Sequence, residues 1–181
     1  LQRPEFLDRE EWAQILGDSL SSSLSLLVGS RSFLVSGILK AQEKNSLLNP
    51  TLLDLLYSLE DVFREKDVYK DYRDVVLSRI MYLAQLKLFR GSGQDYDKLL
   101  NNNIIVDLSG FGSLEARVLF YFLFSLIYSK GSKQSNQKYT IVVDDAHSLF
   151  DVNLEKQPEQ GWSFIHQYIA KMRELGISLI L

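Results

Sequence analysis

Between Asn101 and Leu181 the chain alternates short apolar runs with helix-length segments, and no other feature restricts its fold as strongly. Ile104-Ile105-Val106 ends in Asp107, a helical pattern covers about Ser113 to Tyr128, the polar stretch KGSKQSNQK spans 130–138, and YTIVVDD follows from Tyr139 to Asp145. A loop over 151–160, a helix from about Trp162 to Leu175 stopped by Gly176, and the run Ile177 to Leu181 complete a second unit of the same kind. Short continuous apolar runs separated by helices read as strands of a parallel sheet covered on both faces. The predicted fold class is therefore α/β, with a mainly helical N-terminal half.

That N-terminal half has a different period. Asp8 precedes Glu10 and Glu11, acids suited to the positive end of a helix dipole, and Trp12, Ile15 and Leu16 follow at helical spacing. A helix is predicted from about Asp8, with Gly17 ending or interrupting it. In the tract SLSSSLSLLVGSRS, Leu20, Leu24, Leu27 and Val28 suit one helix face, so helix is expected there rather than linker. Asn49-Pro50-Thr51 reads as a helix start, with Asn capping free amides and Pro in the first turn, and Leu52, Leu53, Leu56 and Leu59 form its apolar stripe. Another helix is predicted over about Tyr69 to Phe89, carried by Tyr72, Val76, Ile80, Leu83 and Leu86 and broken by Arg90-Gly-Ser-Gly-Gln94.

A length of 181 residues accommodates one domain with a sizeable core. One structural unit is expected, helical over 1–100 and α/β over 101–181. With 46% hydrophobic and 24% charged residues the composition is globular, which excludes a disordered or fibrous class. A net charge of -3 excludes a strongly basic nucleic-acid module and confines any such contact to a local patch. The absence of cysteine excludes disulfides and thiolate chemistry and suits a reducing compartment, so the cytoplasm is the expected location. The most apolar stretch, Val118 to Tyr128, is about half of the roughly 20 residues a membrane-spanning helix needs. No transmembrane segment is expected. The chain opens on Leu1 and closes on what looks like a strand stopped in mid-course, so it reads as a piece of a larger protein, cut at both ends.

In open α/β sheets ligands bind beyond the carboxyl ends of the strands, where Asp107, Asp144 and Asp145 fall. A carboxylate at such a tip suits a Mg²⁺ ion held through water beneath the phosphates of a nucleotide. Neighbouring strand residues point to opposite sides, so one acid can serve the metal while the other orients or deprotonates an attacking water. Asp at a strand end also caps helices and terminates pairing, which is the structural alternative. Asp107, followed by Leu-Ser-Gly, reads better as a turn residue. His147 and His166 are too few for a histidine-rich metal site and read as packing or loop residues. Lys130, Lys133 and Lys138, placed in a Gly/Ser/Asn loop, either touch a DNA backbone or are simply solvated. Phe120, Phe122 and Phe124 sit in an unbroken apolar helix and belong to the core rather than to a base-stacking platform.

In this order, IIVDLSGFGSLEARVLFYFLFSLIYSKG, YTIVVDDAHSLF and IAKMRELGISLIL resemble the second half of the motor domain of HerA/FtsK-type ATPases, the group that includes HerA helicases and the ATPases of conjugative DNA transfer. The resemblance covers about residues 100–181 and continues loosely through NPTLLDLL and LAQLKLFRGSG. It implies the parallel sheet of a P-loop, RecA-like core, ATP and Mg²⁺ as cofactors, and DNA as the partner that is moved. It further implies a ring of copies, usually hexameric, and membrane-associated partner proteins.

In that family the Walker B strand ends in Asp-Glu, so the resemblance gives Asp144 the Mg²⁺-linked role and Asp145 the place of the catalytic Glu. Aspartate is one methylene shorter, which retracts the carboxylate by ~1.5 Å and weakens a water-positioning contact. Arg173 matches the arginine that reaches a neighbour's phosphates, because Ile165, Ile169, Met172 and Leu175 take the core face; Lys171 is its rival, and a solvated arginine the alternative. The phosphate cradle GxxxxGK[ST] is missing: neither LLVGSRSFLVSG nor FRGSGQDY carries Gly-Lys-Ser/Thr. The resemblance thus implies a fragment of an ATP-hydrolysing DNA translocase or helicase whose cradle lies upstream. A hydrolysis-deficient assembly or DNA-tethering module is the second expectation, and an unrelated α/β domain with buried capping aspartates the third.

Overall fold

In the computed structural model, which describes residues 2–26, 29–44, 50–65, 70–86, 96–133, 138–144 and 164–181, the first helix begins where its acids predict. Asp8 caps α1 (Arg9–Ser23): the Glu11 amide donates to its carboxylate at 2.7 Å, and the Asp8 amide donates back to the Glu11 carboxylate at 3.1 Å. Losing such a cap costs about 1 kcal/mol. The helix runs through Gly17 instead of ending there. A Cβ on Gly17 would lie 2.8 Å from Val35 Cγ2, so the glycine admits the close approach of α2 (Ser30–Lys44). That packing outweighs the ~1 kcal/mol that glycine costs a helix interior.

The Ser/Leu tract does not continue as one helix. After Ser23 the chain turns, with Ser25 at a left-handed φ of 49°, its amide bonded to the Ser22 carbonyl at 3.1 Å and the Leu26 amide bonded to the Ser21 carbonyl at 2.9 Å. This is the Schellman pattern of helix termination, with serine where glycine is usual. Leu20 and Leu24 are buried, whereas Leu27 and Val28 lie outside the described residues. A left-handed L-residue costs about 1–2 kcal/mol, partly offset by glycine's greater freedom when unfolded. Ser25→Gly is therefore expected to stabilise the protein by about 0.5–1 kcal/mol, seen as a higher urea midpoint.

Thr51, not Asn49, starts α3 (Leu52–Glu65). The Asp54 amide donates to Thr51 Oγ1 at 3.2 Å and the Thr51 amide donates to Asp54 Oδ2 at 2.7 Å, so Pro50 precedes the cap rather than occupying the first turn. Asn49 lies outside the described residues. The buried stripe is Leu52, Leu55, Leu56 and Leu59; Leu53, placed in it by the sequence, is 51% exposed because it falls off the 3.6-residue period. α4 (Lys70–Gln85) buries Val76, Ile80 and Leu83 as its spacing predicts.

Helices α1 to α4 pack in sequence order. Arg9–Glu43 and Arg31–Asp18 link α1 to α2, and Lys40–Glu65 and Lys44–Asp61 link α2 to α3. Pairs as exposed as these contribute at most about 1 kcal/mol each. α4 returns to the turn after α1, where the Arg79 guanidinium donates to the Leu24 carbonyl. α5 (Tyr96–Leu100) brings Tyr96 within 6.3 Å of the Trp12 ring, and burial pushes its phenol up to about 12. Trp12, Leu16, Leu34, Ile38, Leu55, Leu59, Ile80 and Leu83 form the interior of this first compact unit, Leu1–Val106.

The second unit, Asp107–Leu181, holds α6 (Ser113–Lys133), β1 (Tyr139–Val142), α7 (Phe164–Met172) continued by a 3₁₀ turn (Arg173–Leu175), and β2 (Ile177–Ile180). Gly176, at a left-handed φ of 70°, turns the chain into β2. The strands pair in parallel, Tyr139 level with Ile177 and Val142 with Ile180. Bonds from the Tyr139 amide to the Gly176 carbonyl (3.2 Å) and from the Val143 amide to the Ile180 carbonyl (2.9 Å) extend the ladder at its two ends. Ala116, Phe120, Tyr121 and Phe124 of α6 pack with Val143, Met172 and Ile177, and Tyr139, Ile141 and Leu179 lean on that cluster.

The fold class differs from the prediction. Among the described residues the protein is mostly helical, with seven α-helices and one two-stranded parallel sheet; it is not the sheet core of a P-loop ATPase. Ile104-Ile105-Val106 forms no strand, and Ile105 is 99% exposed. Three apolar residues between an Asn triplet and a turn become a strand only where a partner ladder receives them. β1, expected in a parallel sheet covered on both faces, has β2 as its single described neighbour, and one face of the sheet, Thr140, Val142, Ser178 and Ile180, is exposed rather than covered. α6 also runs past the expected loop start at 130, because Gly131 lets the helix close on β2: a Cβ there would lie 2.9 Å from Ile177 Cδ1.

Candidate functional site

Asp144 emerges at a point set by the end of the β1 ladder. Val143 is buried, with its amide tied to the Ile180 carbonyl, and Asp144 is the next residue, in a turn and exposed. The expectation of an aspartate buried by local hydrogen bonds therefore does not hold for Asp144. Asp145 and His147 lie outside the described residues, and so does the side chain of His166. Among the described residues no three His, Asp or Glu side chains converge on a metal position. A lone exposed carboxylate does not make an all-protein cage, but it fits hydrated Mg²⁺, which keeps several waters and takes one or two carboxylates together with substrate phosphates.

Arg173 occupies the 3₁₀ turn after α7 and is exposed; its carbonyl accepts the Gly176 amide at 3.3 Å. Met172 is buried beside it and Ile169 and Leu175 pack on the same cluster, which turns Arg173 outward; Ile165 has no described side chain. Lys171 is exposed on α7. Arg173 precedes the first residue of β2, whereas Asp144 follows the last rung of β1. Val143 lies four residue steps after Tyr139, so at about 3.3 Å per step the ladder is ~13 Å long, and Arg173 and Asp144 flank its opposite ends.

Asp107 is a turn residue: the Ser109 amide donates to its Oδ1 at 2.9 Å, and this bond holds the carboxyl below its usual range. Of the three lysines assigned to a polar loop, Lys133 and Lys138 are exposed, but Lys130 is fully buried within α6 and is unavailable to a DNA backbone. Phe120, Phe122 and Phe124 are buried. One pairing escaped sequence reasoning: the Tyr128 and Tyr168 rings stack at 3.9 Å, 16° from parallel, joining α6 to α7. Burial, aided by the Glu174 carboxylate, raises the Tyr128 phenol above its ordinary value. Nothing in the spacing of residues so distant in sequence announces such a contact.

Among the described residues no helix is long and apolar enough to cross a membrane. Comparison of the chain with protein-family models, with curated proteins and with solved structures gave no match.

Proposed function

We propose that these residues belong to an ATP-driven, cytoplasmic DNA motor of the HerA/FtsK type, in which Asp144 anchors the Mg²⁺ of bound ATP through water. The observation that supports this is the exposed Asp144 immediately beyond the last rung of β1, in a segment whose motif order resembles that of the family. The mostly helical fold, with its single two-stranded sheet among the described residues, departs from the family's parallel sheet core, so the proposal rests on Asp144 and the motif order and not on the fold. Bound Mg²⁺ would neutralise charge on the β- and γ-phosphates. Asp145 takes the place of the group that orients the attacking water and accepts its proton; the water oxygen bonds to the γ-phosphorus as the bond to the bridging oxygen breaks, releasing ADP and phosphate. Arg173, distant from Asp144, serves the site of a neighbouring copy in a ring. The lysine loop that cradles the phosphates is not in these 181 residues and comes, on this proposal, from sequence beyond them.

Two features favour a second reading, a hydrolysis-deficient assembly or DNA-tethering module: the shorter Asp145 where the family has Glu, and the missing Gly-Lys-Ser/Thr. DNA-stimulated Mg-ATP turnover by the full-length protein separates the two, because a tethering module shows neither turnover nor a nucleotide-dependent melting shift. A mixing experiment tests the ring. Arg173→Ala and Asp144→Ala proteins, each inactive alone, are expected to regain activity when mixed, since an intact Asp144 then meets an intact Arg173 at some interfaces. A mixture no more active than its components removes the proposed role of Arg173.

A further inference from the structure

We draw no further inference here: the strongest candidate, the exposed outer face of the β1–β2 sheet where Val142 and Ile180 lie side by side next to Leu181, is an apolar surface for which nothing in the structure shows what covers it.

Discussion

Asp144→Ala in the full-length protein is expected to lower kcat for Mg-ATP hydrolysis by at least ~100-fold while changing folding stability by no more than about 0.5 kcal/mol. The two halves of this expectation come from different facts. Asp144 is exposed and lies beyond the last ladder bond, so its removal leaves no cavity and no buried group unpaired. Its proposed work is electrostatic, and deleting one preorganised group that stabilises transition-state charge commonly costs about 2.7–4 kcal/mol. Asp144→Asn, which keeps shape and loses charge, should fail almost as badly. Turnover that persists at the wild-type rate in either variant would remove Asp144 from the site, however the rest of the protein behaves.

The second large effect is expected in the interior. Phe124→Ala should destabilise the Asp107–Leu181 unit by about 3–5 kcal/mol, the usual cost of truncating a buried aromatic. Phe124 is 2% exposed, its ring lies 5.6 Å from Phe120 and 6.4 Å from Tyr168, and its cluster is the surface on which β1 and β2 rest. Domains are stable by only about 5–15 kcal/mol in all, so a unit with two short strands has little margin. Urea unfolding followed by circular dichroism reads the loss directly. A cost under about 1 kcal/mol would mean that the strands are held by something other than this cluster.

The parts of the fold that could be read from sequence are those governed by neighbours a few residues away. Asp8 and Glu11 form their capping box within one turn, and Val76, Ile80 and Leu83 fall on one helix face whatever lies opposite. Glycines misled because their meaning depended on a distant partner: Gly17 looked like a stop until Val35 was seen against it, and Gly131 looked like a loop until Ile177 was. The same holds for Ile104-Ile105-Val106. Its composition suits a strand, but pairing is a property of two segments, and the described structure gives it no ladder. At the candidate site, the emergence of Asp144 past an apolar strand was legible because it follows from the strand's end alone. That Arg173 stands at the other end of the sheet was not, since it required the parallel register of β1 and β2.

Lys130 turns α6 into its own reporter. Lys130 is fully shielded from solvent on the same turn of α6 as Gly131, while Lys133 one turn further on is open. An amine-reactive label offered to the native protein should therefore modify Lys133 at once and Lys130 only when the cover over it opens. The ratio of the two labelling rates measures, without any unfolding agent, how often this turn of α6 is uncovered.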